Sequence, residues 1–349
     1  MRPIAFVLAL AACTANQAGG SHTGSGDDDG DDGGGDDGGD TTPTPLTIDG
    51  AYTLRSSYDL ATNIPGTVGD VINTIIAATD DPDDPTHWLL DELIDAMPGG
   101  TFKTLLENAE PFVTGYLNDR LLEWAPSFVT TMVNVGNNFG ELAKHVGLNE
   151  TLVITSADGQ TLATRTITGV HFDVNNHPTD IAFADAGISV APVAGIAVTV
   201  DQTGKLTLAQ NQIALPYGAI LRLGLDAVVI PSIDPNATDL VSLMEDQVHC
   251  DLVGDAIADA IGFGGASTFE SACHDALSAA ADFIYSKIDD ISGVGLTIDA
   301  SGVAKIIDTT GDHEADTIAT GTWDGTASYG GSDPAPLATA TFFGSKQTF

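Results

Sequence analysis

The sequence predicts an α+β fold: a large curved antiparallel β-sheet or partly closed barrel, packed with an N-terminal helical block and a pair of cysteine-bearing helices. Three observations carry this expectation. Apolar residues recur at helical spacing over 66–147, and alternate with polar ones from residue 151 onward. The connections between alternating runs hold turn chemistry such as Asp158-Gly159 and Gln202-Thr203-Gly204, which favours hairpins and antiparallel order.

Taken in order, Ala51-Tyr52-Thr53-Leu54-Arg55 reads as a strand. Val68, Val71, Ile72, Ile75 and Ile76 then share a helix face behind a capping Thr67, until Asp80-Asp81-Pro82-Asp83-Asp84-Pro85 stops the helix. Leu89, Leu90, Leu93, Ile94 and Met97 mark a second helix, ended by Pro98-Gly99-Gly100. Further helices begin near Thr101, Pro111 and Pro126, where the missing N–H of proline suits a first turn. Strands are expected to fill 151–231, from the alternation of Val170, Phe172 and Val174, of Ile196, Val198 and Val200, and of Leu221, Leu223 and Leu225.

A helical pair at 236–291 interrupts the sheet. Cys250, Val253, Ile257 and Ile261 share one face of its first helix. A Ser267/Glu270 capping box opens the second, which turns Cys273, Leu277, Ala280, Ile284 and Ile288 inward. Closing strands at 293–343 are Leu296–Ile298, Val303–Ile307, Thr317–Tyr329 and Leu337–Phe343, broken at Gly302, Gly311 and Gly330-Gly331. One α+β domain over 47–349 is expected, with a division near residue 150 as the alternative.

The N-terminus follows a different logic. Arg2 precedes an apolar run from Ile4 to Leu10, far shorter than the roughly 20 residues that span a bilayer, which fits a cleavable signal core. Leu10-Ala11-Ala12-Cys13 then resembles the lipobox of bacterial lipoproteins. The resemblance covers the first 13 residues only. It implies a signal peptide over 1–12, lipidation of Cys13, and a membrane as partner through that anchor. Thr14 is not the aspartate that this family associates with inner-membrane retention, so the resemblance points to the outer membrane of a bacterial cell envelope, with surface exposure as a further option.

Within 13–46, the stretch behind the anchor is a disordered acidic spacer. Asp27 to Asp40 contains only Asp and Gly and is followed by Thr-Thr-Pro-Thr-Pro, with nothing able to bury a core. Its 33 residues would reach roughly 30 Å as flexible coil, and like-charge repulsion extends that. Calcium is not read here, because the sixth position counted from Asp27 is Asp32 where an EF-type loop needs glycine.

Residues 47–349 carry 41 acidic and 10 basic side chains, a net charge of −31. That charge excludes a nucleic-acid binder and leaves no basic patch for anionic lipid. With Cys13 lipidated, Cys250 and Cys273 remain as an even pair, and a disulfide follows in an exported protein. In a straight hairpin the two would be offset by about 9 Å, beyond disulfide reach, so the helices are expected to cross obliquely or the first to break near Gly254. His249-Cys250 and Cys273-His274 also hold the inventory of a tetrahedral zinc site, although adjacent helical residues diverge by about 100 degrees. Two free buried thiols are the remaining alternative.

The remaining motifs carry little chemistry. Asp308, Asp312 and Asp316, with Thr310, resemble a degraded calcium loop with oxygen ligands at positions 1, 3, 5 and 9, but His313 replaces the glycine at position 6 and Ala319 the final Glu. His171 and Asp173 fall on a polar strand face and His177 precedes Pro178 in a turn, so solvated residues are expected rather than an acid-base or metal cluster. Asp251, Asp255 and Asp259 read as a solvated helix stripe. No G-x-S-x-G, H-E-x-x-H or S-x-x-K motif is present, and Gly262-Phe263-Gly264-Gly265 lies between helices rather than after a strand. Gly321-Thr322-Trp323 resembles the G-x-W triplet of lipocalins, but that family carries it near the N-terminus, so nothing is transferred from it.

The expectation is therefore a non-enzymatic, lipid-anchored envelope lipoprotein without a cofactor. Its sheet would serve as a scaffold or enclose an apolar ligand or meet an envelope protein. A cell-surface interaction or adhesion protein is the second reading, and an exported hydrolase with a non-motif site the third.

Overall fold

The computed structural model describes residues 44–60, 126–174, 176–261, 266–292 and 295–348. The lipobox, the acidic spacer and the helices expected before Pro126 lie outside the described residues. Pro43–Phe349 forms one compact unit.

The strands are β1 (Gly50–Asp59), β2 (His145–Ala157), β3 (Gln160–Val174), β4 (His177–Ala182), β5 (Val193–Val200), β6 (Lys205–Leu215), β7 (Leu296–Ile307), β8 (Thr317–Tyr329), β9 (Ala335–Pro336) and β10 (Thr339–Lys346). Eight of them pair antiparallel in chain order, β1-β2-β3-β5-β6-β7-β8-β10, and β10 pairs back onto β1. The sheet thus closes into an up-and-down barrel, the one antiparallel solution that leaves the ring without an edge. β4 lies beside β3 and β9 beside β8, outside the ring. The structure is mostly β with helices, and the expected curved sheet takes its closed form.

Alternation explains why these segments are strands. Tyr52, Leu54, Ser56 and Tyr58 of β1 point inward and are buried, while Thr53 and Ser57 face out. On β7, Leu296, Ile298, Ala300, Ala304 and Ile306 are buried between Thr297, Asp299, Ser301 and Lys305. The outward residues of these two strands are mostly polar, while Ile307 here and Val153, Leu162 and Phe343 on other strands are exposed apolar side chains. The predicted Asp158-Gly159 hairpin forms with both residues at positive φ (53° and 76°), as a two-residue primed turn requires.

The helices are α1 (Pro126–Lys144), α2 (Tyr217–Gly224), α3 (Ile230–Ile233), α4 (Leu240–Gln247), α5 (Cys250–Ile261) and α6 (Ala266–Ser292). They sit in the β1-to-β2 and β6-to-β7 connections, which antiparallel order places at the same end of the barrel. The short connections Asp158-Gly159 and 201–204, and the 308–316 loop, lie at the other end.

Several sequence expectations need correction. Leu221, Leu223 and Leu225 belong to helix, not strand: buried Tyr217, Ile220, Leu221, Leu225, Val228 and Val229 follow a helical period that the alternating leucines mask. Strands therefore end at Leu215 rather than residue 231, and helices fill Tyr217 onward rather than starting at 236. A π turn over Leu225–Val229 precedes Pro231, whose nitrogen cannot donate to the carbonyl four residues back.

The helical block ends at Lys144 rather than 147, because pairing with β1 runs down to His145 opposite Asp59. β7 passes straight through Gly302, since that glycine faces inward under Trp323 instead of turning the chain; an added Cβ would stand 2.7 Å from the indole. His177 opens β4 rather than lying in a turn. α6 begins at Ala266, ahead of the expected Ser267 cap.

Candidate functional site

Cys250 and Cys273 are joined, with Cα atoms 5.5 Å apart. α5 is unbroken. The predicted offset shrinks because α6 begins earlier than its capping pattern indicated, and Gly254 lets the two backbones close up, its missing Cβ lying 2.6 Å from the Ala266 carbonyl oxygen. The zinc and free-thiol alternatives fall with the bond. Cys13 lies outside the described residues.

The weak calcium loop is organised by its own amides. Asp308 accepts from the backbone N–H groups of Thr310, Gly311 and His313, and Asp316 from those of Thr309 and Thr310. The Thr309 hydroxyl, which donates to Asp316 at 2.7 Å, contributes most at that residue, and with the amide bonds it favours the charged form and holds both carboxyls below their ordinary pKa. Asp312 accepts from Glu314 N–H. Carboxylates committed to amides in this way are not convergent ligands, and among the described residues no group of three or more His, Cys, Asp or Glu is placed to hold a metal.

His171, Asp173 and His177 are not gathered into one cluster. His171 instead meets Asp180, Nδ1 to Oδ1 at 3.0 Å, and Asp180 also accepts from Asn149 at 2.7 Å and, through both of its oxygens, from Nη2 of Arg55, whose Nε donates to Asn149 Oδ1. The network lies on the outer wall and clamps β4 against β3, β2 and β1. Asp251 and Asp255 are exposed, as a solvated stripe would be.

The most unusual chemistry is inside the barrel, at residues that sequence reasoning passed over. Arg165 of β3 and Glu150 of β2 are both fully buried and form a two-pronged ion pair through Nε to Oε2 and Nη2 to Oε1. Arg165 also donates to Asn211 Oδ1 at 3.0 Å and to the Tyr58 hydroxyl at 2.6 Å, and its guanidinium lies 4.2 Å from the Trp323 ring centre. Trp323 Nε1 donates to Ser56 Oγ, and Asn211 Nδ2 donates to the carbonyls of Ala209 and Ala300.

One side chain on β3 thus ties together β1, β2, β6 and β8. Burial alone would drive the Arg165 pKa down, but the Glu150 carboxylate and the Tyr58 hydroxyl overturn it and keep the guanidinium charged. Burial pushes the Tyr58 hydroxyl up to about 12, against the pull of Arg165.

Local irregularities aim these residues. Bulges shift the β2–β3 register beside Glu150 and the β6–β7 register between Leu208 and Asn211, so Asn211 points inward where simple alternation from Leu206 and Leu208 would turn it out. Parity was the available signal: Glu150 stands between inward Leu148 and Leu152, and Arg165 between inward Ala163 and Ile167.

The bore around this cluster is filled. Phe342 stacks 4.4 Å from Trp323, and Gly302 and Gly321 provide the space both rings occupy. At the hairpin end, by contrast, a cavity of about 320 Å³ opens below the filled layers. Val198 and Val200 of β5, with Ser156 and Thr161 beside the β2–β3 hairpin, form its wall; Pro45 to Asp49 form its other side.

That segment, just ahead of β1, is pinned as a strap. Thr47 N–H donates to the His313 carbonyl, Ala315 N–H donates to the Thr47 carbonyl, and the Tyr52 hydroxyl donates to the carbonyls of Ile48 and Ala315. No protein-family model, curated protein or solved structure shows significant similarity to the chain.

Proposed function

We propose that this chain is a non-enzymatic, lipid-anchored lipoprotein of the bacterial envelope, whose barrel is a rigid scaffold and takes a small ligand at its hairpin-end mouth rather than in its bore. The observation that supports this most is the contrast between the two spaces. The bore is occupied by a hydrogen-bonded charged layer and close-packed rings, whereas the mouth keeps a cavity at the lower end of the size range of small-molecule sites.

The absence of hydrolase motifs in the sequence supports a binding rather than a catalytic role, and the outer-wall His171–Asp180 pair sits in an ion-pair network with Arg55 rather than beside a nucleophile. The lipid anchor rests on Cys13 and outer-membrane placement on Thr14. Native mass spectrometry and solvent extraction of the purified chain test the binding role: a stoichiometric small molecule lost on blocking the mouth supports it, and a ligand-free protein with a non-binding mouth leaves only a scaffold.

The acidic spacer favours a second reading, an interaction or adhesion protein on the cell surface. Protease shaving of intact cells distinguishes it, since a periplasmic domain stays protected while control surface proteins are cut.

A further inference from the structure

We infer that the mouth cavity selects small amphipathic cations, such as alkylammonium groups; this rests on the mouth-binding reading above. Among the described residues that line the cavity, Asp49 is the only charged one, with no Lys, Arg or His beside it. One of its oxygens, Oδ1, accepts the Ser156 N–H, and Lys346 at the end of β10 is committed to Glu314 at 2.5 Å. The carboxylate therefore faces the cavity without a counter-cation among the lining residues.

The lining also holds Val198 and Val200 from the β5 wall and Leu46 and Ile48 from the strap, apolar side chains that suit a short alkyl chain. Thr47 and Thr161 add hydroxyls to the lining, that of Thr161 paired with Ser156 Oγ at 3.0 Å. An ammonium would thus meet a charged acceptor while its tail leaves water, and a carboxylate of equal size would meet like charge. The domain's net charge of −31 adds a long-range attraction for cations and repulsion for anions.

Calorimetric titration of the intact protein with hexylammonium, hexanol, hexanoate and methylammonium, at physiological salt, tests this. Hexylammonium is expected to bind one-to-one, hexanol weakly, and hexanoate and methylammonium not at all. Asp49→Asn keeps an acceptor for Ser156 and removes only the charge, so it should weaken hexylammonium by about 10- to 100-fold while leaving hexanol unchanged. Thr161→Trp, checked for an unchanged melting curve, should abolish both.

If hexanol or hexanoate binds as tightly as hexylammonium, or Asp49→Asn changes nothing, the cation assignment is overturned while mouth binding stands. If none of the four probes binds and extraction yields no ligand, the mouth-binding reading itself fails.

Discussion

Separating Arg165 from Glu150 should be the most damaging small change available in this barrel. Arg165→Met leaves the Glu150 carboxylate buried without its cation, and Glu150→Gln leaves a buried guanidinium without its anion. Breaking a buried pair from one side costs about 3–5 kcal/mol, a large share of the 5–15 kcal/mol that typically separates folded from unfolded. In the double variant Arg165→Met/Glu150→Met no uncompensated charge remains. It still strips the Tyr58 hydroxyl and Asn211 Oδ1 of their guanidinium donors, a loss of about 1–3 kcal/mol for each buried group left unpaired.

The double variant is therefore expected to be less stable than the parent, but by at least about 2 kcal/mol less than the two single losses added together. Urea titrations followed by circular dichroism, with a constant m-value, measure all four states. Additive losses would refute the view that these two side chains form one energetic unit inside the barrel.

Further predictions follow from other parts of the structure. Gly302→Ala places a methyl 2.7 Å from an indole that Arg165 and Phe342 already confine, so a loss of about 1–3 kcal/mol is expected, measurable in the same titration. Removing the disulfide with Cys250→Ser/Cys273→Ser opens a 23-residue loop worth about 3 kcal/mol in chain entropy; because α5 packs chiefly on α6, hydrogen exchange should rise in α5 and stay unchanged in β1–β3, and equal acceleration throughout would contradict this.

Asp308 and Asp316 have folded pKa values below their unfolded ones, so their contribution is complete above about pH 4 and is lost as pH falls through the lower folded values. Amide exchange or proton NMR of Thr310 and Gly311 should show the loop loosening only in that acid range, and Asp308→Ala should loosen it at neutral pH. Added calcium should leave the loop's spectrum unchanged, whereas a saturable shift would restore the metal reading.

Much of the architecture was legible because burial imposes a period. Inward residues of β3 and β5 are the ones their alternation selects, and the Asp158-Gly159 turn forms where its dipeptide allows positive φ. The inward faces that carry Cys250 and Cys273 were readable from helical spacing, and so was the bond between them. The failures have physical causes. Leu221, Leu223 and Leu225 satisfy a two-residue period by coincidence within a helix in which buried Tyr217, Ile220, Leu221, Leu225 and Val228 follow the helical one.

Gly302 reads as a break in one dimension, but in the barrel it is the space left for a tryptophan twenty-one residues away. Glu150, Arg165 and Asn211 are polar residues on inward positions, and only the bulges and the pairing register reveal that they meet. The mouth cavity was not legible at all, because it joins a strap ahead of β1 to a wall about 150 residues later.

The proposed lipid on Cys13, which would hold the barrel at a membrane, is tested directly by the intact mass of the mature chain purified from its own envelope. The expected result is a chain beginning at Cys13, heavier than its amino acids by attached acyl groups, that enters the detergent phase on Triton X-114 separation. A mass equal to the unmodified sequence, with all of the protein in the aqueous phase, would contradict it.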